Sequence, residues 1–358
     1  LHTLAMPRRA TQASRRAASS TGQPLGQALA EGHLDELRTL LIPRCDLGDE
    51  GLAAMLVGPW PKLESLDLRH NLLSAEGARL LASAPLLTRL RHLNLRSNDL
   101  RPEGLVALLS AEALPRLAAL NLGATGFDLT AAATLPRALA TARLRRLLLR
   151  DNPLGDRGLE TLLRQLHLDE LTVLNLRACQ LSAESVAQLA VHPALRQLTH
   201  LSLRANPLGD DGARKLLGSP TLSRVRHLDL TSTGLTDAMM QALIESPHLG
   251  ALEALTLAHN NLNEGAVLAL LSSPLMGQLR HLNLAGNALS DDVAAKLAES
   301  ASSLRVLNLR ENFLTPVGAK KLVESQTLAD LRQLNLERNY LMRHDRRRLQ
   351  SAARCELI

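Results

Sequence analysis

The stretch LRHLNLRSNDLRPEGLVALLS, from Leu90 to Ser110, contains two hydrophobic periods within 21 residues. Its first half alternates leucine with polar residues, and this period of two predicts a short β-strand. Its second half places Leu105, Leu108 and Leu109 at the spacing of one helix face. Asn98 lies between the two halves. The stretch therefore predicts a strand, a turn and a helix in that order.

The same unit recurs along the chain at nearly constant spacing. One reference leucine can be chosen in each copy, and successive reference leucines are 26, then eight times 27, then 25 and 27 residues apart. They are Leu40, Leu66, Leu93, Leu120, Leu147, Leu174, Leu201, Leu228, Leu255, Leu282, Leu307 and Leu334. A single unit cannot bury its own leucines, so twelve copies predict a stacked array in which neighbours share one core.

A polar column lies five residues after each reference leucine and holds only Asn, Cys or Thr. We expect these side chains to bond backbone groups of the turn that leaves each strand, and so to form a ladder along the stack. Cys and Thr can fulfil this role less completely than Asn. The predicted ladder residues are Asn71, Asn98, Asn152, Cys179, Asn206, Asn260, Asn287, Asn312 and Asn339.

This pattern resembles the leucine-rich repeat, L-x-x-L-x-L-x-x-N-x-L. The repeat length and the NPLGD words that begin at Asn152 and Asn206 resemble the ribonuclease-inhibitor-like subclass, whose units carry a full helix. The resemblance implies an α/β solenoid of about 12 repeats of 27 residues. Strands about 4.8 Å apart and helices roughly 8–10 Å apart would bend the stack into a horseshoe, with a concave parallel sheet and convex helices.

Three segments are expected along the chain. Residues 1–24 are rich in Ala, Ser and Arg with no acid before Glu31, which predicts a disordered basic tail, or alternatively a transit-type presequence. Residues 25–343 should form the solenoid with an N-terminal helical cap, and residues 344–358 a polar C-terminal cap helix. Because the chain opens on Leu1 rather than Met, a missing upstream domain is a further expectation.

The composition limits the classes of function. The net charge of +6 arises from 41 basic and 35 acidic residues among 358, a small excess that carries little weight. Three cysteines form no disulfide framework, which favours a reducing, cytoplasmic location. No apolar run approaches the roughly 20 residues that span a membrane, so no membrane association is predicted.

The period-two alternation also predicts the exposed face of the sheet. If the reference leucines are buried, the residues one before, one after and three after each of them should point outward. The three-after position is Arg in six of the twelve units. The predicted partner-binding residues on this face are Arg69, Arg96, Arg146, Arg150, Arg177, Arg204, Asp67, Asp229, His200 and His227.

The arginine row allows two interpretations. Arg150, Arg177 and Arg204 fall on three successive predicted strands, where like charges repel unless an acidic partner is present. The row could therefore bind carboxylates or phosphates. Alternatively, duplicated units inherited their arginines, and nearby acids such as Asp151 neutralise the row internally.

Other sites are weaker. His200, His227 and Asp229 have zinc-binding side chains, but His recurs here in the repeated word RHL, so no metal site is predicted. The sequence has no phosphate-binding glycine loop, nucleophile elbow or H-E-x-x-H motif, and therefore predicts no catalytic residue and no cofactor. The predicted face has no aromatic residue, which disfavours nucleic acid as a partner.

The sequence thus predicts a non-enzymatic, monomeric scaffold for protein–protein interaction that binds a partner protein with an acidic surface on its concave face. Two alternatives follow from the resemblance. One is a regulatory subunit or activator of a nucleotide-dependent enzyme, similar to the GTPase-activating members of the family. The other is the recognition half of a larger sensor or effector.

Overall fold

The computed structural model describes residues 2–6, 22–32, 34–110, 114–139, 141–165 and 169–358. The chain divides into two compact units, Leu1–Gln180 and Leu181–Ile358. Within each unit the strands follow one another in chain order, and the pairs whose register is resolved are all parallel. No helix in the described ranges is both long enough and apolar enough to cross a membrane.

In the first unit, short strands alternate with helices. The described strands are β1 (Thr3–Ala5), β2 (Thr39–Leu41), β3 (Ser65–Asp67), β4 (His92–Asn94), β5 (Ala119–Asn121), β6 (Arg146–Leu148) and β7 (Val173–Asn175). The described helices are α1 (Gly22–Glu31), α2 (Gly48–Leu56), α3 (Ala75–Ala82), α4 (Arg101–Ser110), α5 (Leu129–Ala138) and α6 (Gly155–Gln165). A 3₁₀ turn, Pro85–Arg89, leads into β4.

The second unit repeats the alternation. Its strands are β8 (His200–Ser202), β9 (His227–Asp229), β10 (Ala254–Thr256), β11 (His281–Asn283), β12 (Val306–Asn308), β13 (Gln333–Asn335) and β14 (Glu356–Leu357). Its helices are α7 (Ala183–Val191), α8 (Gly209–Leu217), α9 (Met240–Ile244), α10 (Glu264–Leu271), α11 (Asp291–Ser300), α12 (Pro316–Glu324) and α13 (Arg343–Ala352). Four 3₁₀ turns complete it: Pro193–Gln197, Pro220–Leu222, Asp237–Met239 and Pro274–Gly277.

The reference leucines hold each unit together. Leu66, Leu93 and Leu120 are register partners on consecutive strands, and each is only 1% exposed. The helices add their own apolar face from behind, as Leu105 and Leu108 do on α4 with no exposed surface. Full burial of each such side chain contributes about 1.5–3 kcal/mol, so the core between sheet and helices supplies most of the stabilisation. The α/β solenoid predicted from the repeat is confirmed.

The helix starts are tied to the helix before them. Ser74 caps α3 by accepting a hydrogen bond from the Glu76 N–H at 3.1 Å. Asp49, in the first turn of α2, accepts the Ser74 N–H at 3.0 Å. Thr315 has the same relationship to Asp291 of α11. Successive helices are therefore linked by polar bonds as well as by apolar contact.

The two ends of the chain differ from expectation. Within the stretch predicted as a tail, Thr3–Ala5 form a strand because Leu4 takes the inward position beside Leu40, and α1 already begins at Gly22. Residues 7–21 of that stretch lie outside the described residues. At the other end α13 stops at Ala352, and Glu356–Leu357 form β14 because Leu357 pairs with Leu334.

Candidate partner-binding face

Asn98 shows what the polar column does. Its Oδ1 accepts the N–H groups of Asn71 at 2.9 Å and Leu73 at 3.1 Å. Its Nδ2 donates to the carbonyls of Leu95 at 2.8 Å and Leu68 at 3.0 Å. One buried amide thereby satisfies backbone groups of two repeats. Side-chain amides donate in the same way at Asn71, Asn152, Asn206, Asn260, Asn287, Asn312 and Asn339.

The Cys and Thr members of the column donate to the same kind of carbonyl. Thr125 Oγ1 donates to the Leu122 carbonyl at 2.7 Å, and Cys179 Sγ donates to the Leu149 carbonyl at 3.3 Å. Burial raises the pKa of the Cys179 thiol to about 12, so the thiol keeps its proton and remains a donor. This column fixes the strand ends and is turned away from the exposed face of the sheet. We define the strand face as the outward side chains of the strands and of the three-after position that follows them.

A second polar column, predicted only to point outward, fastens each strand to its own turn. Asn94 Oδ1 accepts the N–H of Arg96 at 3.2 Å, and Asn121 Oδ1 accepts that of Gly123 at 3.1 Å. The same bond forms at Asp67, Asn175, Asp229, Asn283, Asn308 and Asn335. The recurrence of Asn and Asp two residues before a turn was the available signal, because these side chains bond the backbone two residues on.

The three-after position is more enclosed than the alternation predicted. Thr231, Ala258 and Ala285, which were expected to point outward, are 1%, 2% and 3% exposed. A short side chain at this position, two residues after the strand, ends below the surface. Only a long side chain reaches solvent from there, and Arg150 and Arg177 do so with 21% and 37% of their side-chain surface.

On the first unit, arginines outnumber the acids beside them. Arg69 Nε is 3.4 Å from Asp67 Oδ2. The Nε atoms of Arg150 and Arg177 each lie 3.7 Å from the carboxylate of Asp151. One carboxylate is thus shared between two guanidinium groups, which leaves positive charge in excess.

Arg96 is the least satisfied residue of this group. Its Nε is buried without a hydrogen-bond partner, and the side chain has no ion-pair partner among the described residues. Gly123 occupies the same position in the repeat between those of Arg96 and Arg150, and a Cβ added there would lie 2.9 Å from Arg150 Cγ. The side chain of Arg150 therefore lies across the space that the missing side chain leaves.

The electrostatic effect of these arginines reaches His70. Burial lowers the pKa of His70, and the positive charges of Arg44, Arg69 and Arg150 lower it further. The positive charge of each arginine therefore contributes a smaller part of this lowering than burial does.

A depression of about 230 Å³ lies on the same strands. Leu41 and Leu148 line it together with the polar side chains of Asp67, Asn94 and Arg146. The first unit therefore combines apolar surface, amide groups and guanidinium groups on one face.

The second unit arranges its predicted residues differently. Arg204 is half-buried and has no ion-pair partner within the described ranges. The His200 and His227 rings stack with centroids 4.2 Å apart and 6° between planes. Asp229 accepts hydrogen bonds from Ser202 Oγ at 3.1 Å and Thr231 Oγ1 at 2.6 Å. Across the described part of the chain, no group of three His, Cys, Asp or Glu side chains has an arrangement that could hold a metal.

Arg310, the remaining arginine at the three-after position, is neutralised within the second unit. Arg310 Nη1 donates to Glu337 at 3.1 Å, and Arg310 Nε donates to Glu311 at 3.2 Å. Arg338 also donates to Glu311, at 2.7 Å. The contrast makes the first unit the more electropositive of the two strand faces.

Comparison with known proteins agrees with this architecture. A family model described as Leucine Rich repeat matches six segments, residues 61–82, 87–109, 144–163, 195–217, 279–298 and 300–323. No curated protein sequence matches the chain significantly. The chain therefore contains leucine-rich repeats, and these form the α/β solenoid described above.

Solved structures share the fold at low sequence identity. The crystal structure of the Rad7 and Elc1 complex in yeast contains a chain that is 20% identical, with a TM-score of 0.60 over 78% of this chain and 71% of that one. An internalin (inlF) from Listeria monocytogenes strain 4b F2365 is 19% identical, with a TM-score of 0.51 over 94% of both chains. At these identities the likeness shows the fold alone.

Proposed function

We propose that this chain is a non-catalytic protein-interaction module, and that the strand face of its first unit binds an acidic surface of a partner protein. Leucine-rich-repeat proteins generally mediate protein–protein interaction, and the yeast neighbour lies in a complex. The observation that carries the proposal is the buried, unpartnered Nε of Arg96 within an arginine cluster that has too few acids.

The folded chain already carries the cost of the unpaired Arg96 donor. An unsatisfied buried donor costs about 1–3 kcal/mol in the folded protein, and a carboxylate bound to the same guanidinium group offsets part of this cost. Charge-assisted bonds from guanidinium to carboxylate are roughly twice as strong as neutral ones. Arg96, Arg150 and Arg177 follow short, paired strands, and the backbone carbonyl of each accepts an N–H of the preceding repeat, so their positioning costs little further entropy.

The depression beside the arginines gives the face some apolar area. Leu41 and Leu148 are half-buried there and can be covered by a partner's side chains. The amide oxygens of Asn94 and Asn121 are already engaged by their own backbone, so these residues shape the surface instead of reacting with a ligand. This assignment of the polar residues supports a binding role and not a catalytic one.

We extend the proposal to a monomer in the cytoplasm and to the ribonuclease-inhibitor-like subclass. Three cysteines in 358 residues fit a reducing compartment. Repeats of 27 residues with full helices such as α4 and α6 fit the subclass. Sedimentation velocity of the purified chain tests the oligomeric state, and a fluorescent fusion tests the location.

The experiment is an affinity capture from native lysate with three forms of the full chain. The first is the wild type, and the second carries Arg96→Glu, Arg150→Glu and Arg177→Glu. The third carries Arg89→Glu, Arg116→Glu and Arg196→Glu, exposed positions outside the strand face with the same change of charge. Mass spectrometry identifies the retained proteins, and circular dichroism checks folding.

The proposal expects a protein with an acidic surface to be retained by the wild type and the third form, and lost from the second. Its retention should also fall as salt is raised, because the contact is between opposite charges. Equal retention of the same proteins by all three forms would reject the strand face of the first unit as the binding site.

A further inference from the structure

Two of the chain's four aromatic residues are exposed and stacked on each other in the second unit. The rings of Phe313 and Tyr340 have centroids 5.7 Å apart and 15° between their planes. Their side chains are 50% and 65% exposed, whereas Trp60 and Phe127 are buried. Phe313 and Tyr340 occupy the same place in consecutive repeats, directly after the column residues Asn312 and Asn339.

The backbone beneath the two rings is fixed. Phe313 donates its N–H to the Leu289 carbonyl at 2.9 Å, and Tyr340 donates its N–H to the Leu314 carbonyl at 2.9 Å. Each ring then has only two side-chain torsions left to order. Rigid aromatic side chains of this kind lose little entropy on binding, and aromatic residues are enriched among those that dominate interface energies.

Two exposed aliphatic side chains follow the rings in the sequence. Val317, in the first turn of α12, is 61% exposed, and Met342, which precedes α13, is 67% exposed. We call Phe313, Val317, Tyr340 and Met342 the aromatic edge, because all four lie where strands lead into helices. Large apolar side chains that stay exposed add no burial free energy to the isolated chain, and groups of them commonly mark interaction sites.

Met342 of the aromatic edge directly precedes the basic helix α13. Helix α13 exposes Arg343, Arg346, Arg347 and Arg348, and none of them has an ion-pair partner among the described residues. Asp345 is turned inward as a cap, where it accepts the Met342 N–H at 3.0 Å. The acid that precedes Phe313, Glu311, is occupied by Arg310 and Arg338.

We propose that the aromatic edge docks an acidic segment of a partner protein that carries large apolar side chains. The apolar side chains cover Phe313 and Tyr340, and the carboxylates meet the arginines of α13. Charge complementarity selects this occupant over a second copy of the chain, since a two-fold contact would bring the α13 helices of both copies together. Val317 and Met342 suit aliphatic protein side chains and offer no stacking surface to a base.

This surface is independent of the strand face of the first unit. Its residues belong to the second unit, and the arginines of α13 are not those of the three-after column. The aromatic edge can therefore be tested without knowing what the first unit binds.

The test starts with a random peptide library selected against the full chain. Selected peptides are then synthesised with a fluorophore, and their binding is measured by fluorescence anisotropy. The variant carries Phe313→Ser and Tyr340→Ser. The matched control is Leu72→Ser, because Leu72 follows the column residue Asn71 and is 60% exposed. Circular dichroism and the urea midpoint confirm that both fold.

The proposal expects selected peptides to combine acidic and large apolar residues. Their affinity should fall at least about thirtyfold in the double variant and remain within about twofold in Leu72→Ser. Arg346→Glu with Arg347→Glu should weaken binding and reduce its dependence on salt. The Arg96→Glu, Arg150→Glu, Arg177→Glu form should bind the peptides as the wild type does, which separates this site from the first.

Three results would overturn the proposal. The first is a selection that returns no peptide whose binding depends on the two rings. The second is displacement of selected peptides by a single-stranded oligonucleotide that itself loses affinity for the double variant, which would assign the edge to nucleic acid. The third is a wild-type dimer in sedimentation that the double variant converts to a monomer.

Discussion

Asn71 donates its backbone N–H to Oδ1 of Asn98, 2.9 Å away, so a side chain of one repeat satisfies the backbone of the repeat before it. Replacement of Asn98 by Ala would leave two buried N–H groups and two buried carbonyls without this partner. We expect Asn98→Ala to destabilise the chain by about 2–4 kcal/mol. Urea unfolding, followed by circular dichroism, measures the shift of the midpoint.

The matched control for this prediction is Asn98→Cys. Cys179 stands in the same column and donates one bond through its thiol, so Asn98→Cys should keep part of the donor function and lose less stability than Asn98→Ala. Equal midpoints for the wild type and Asn98→Ala would mean that the column is not important for stability.

The repeat pattern was sufficient to predict the fold because one physical rule recurs in every unit. Leucines that cannot be buried by one unit must be buried by its neighbours, and the burial of Leu66, Leu93 and Leu120 follows directly. The ends escaped the pattern, since the strand at Thr3–Ala5 precedes the first regular unit.

The strand face was harder to predict, because period-two alternation gives the direction in which a side chain points and not how deeply it is buried. It treats Arg150 and Ala258 alike, although Ala258 is buried and part of the longer Arg150 side chain reaches solvent. It also ignores local bonds such as that of Asn94 to the Arg96 N–H. Phe313 and Tyr340 are one repeat apart, but the position directly after the column lies outside the strand alternation, so the alternation did not predict their stacking.

Acid should destabilise the second unit, because the pKa of His227, one of the two stacked histidines, is lowered. Burial lowers the pKa of His227 below 6.5, and His281 and Arg226 lower it further while Glu253 opposes them. The unfolded chain therefore binds a proton near pH 6.5 that the folded chain still excludes. Stability should fall as the pH drops below about 6.5, because the unfolded state then binds more protons.

Urea midpoints of the wild type and His227→Gln at about pH 7.5 and pH 5 test this prediction. The decrease from neutral to acidic pH should be smaller in His227→Gln, and proton NMR of the wild type should show a histidine with a lowered pKa whose signal is missing in His227→Gln. The same decrease in both proteins would show that His227 does not contribute.

The stability of the folded chain should depend on pH in the alkaline range because Cys179 is buried. Burial raises the pKa of its thiol from 9.0 to about 12, so between these values the unfolded chain has lost a proton that the folded chain keeps. Stability should decline as the pH rises through this window. The decline should be smaller in Cys179→Ser, whose hydroxyl does not ionise there, and urea midpoints at about pH 8 and pH 10.5 make the comparison. A thiol-specific reagent should label Cys179 only after unfolding.

Replacement of Gly123 by Ala should change binding with little change in stability. Its missing side chain gives Arg150 the space across which it lies, and a Cβ at position 123 would approach Arg150 Cγ to 2.9 Å. In Gly123→Ala the flexible side chain of Arg150 must move, while the carbonyl of Arg150, at 3.2 Å from the new Cβ, limits how far the backbone can relax. We expect the free energy of unfolding to stay within about 1 kcal/mol of the wild type, because alanine also restricts the unfolded chain.

Displacement of Arg150 removes one guanidinium from the cluster that the first unit presents. If that cluster binds an acidic partner, Gly123→Ala should weaken the affinity for the captured partner by about tenfold, the value of one charge-assisted bond. Gly250→Ala is the matched control, since a Cβ at position 250 meets no atom within 4 Å. Titration of the captured partner with both variants gives the two affinities. If both variants weaken the affinity equally, or if neither weakens it, the position of Arg150 does not determine binding.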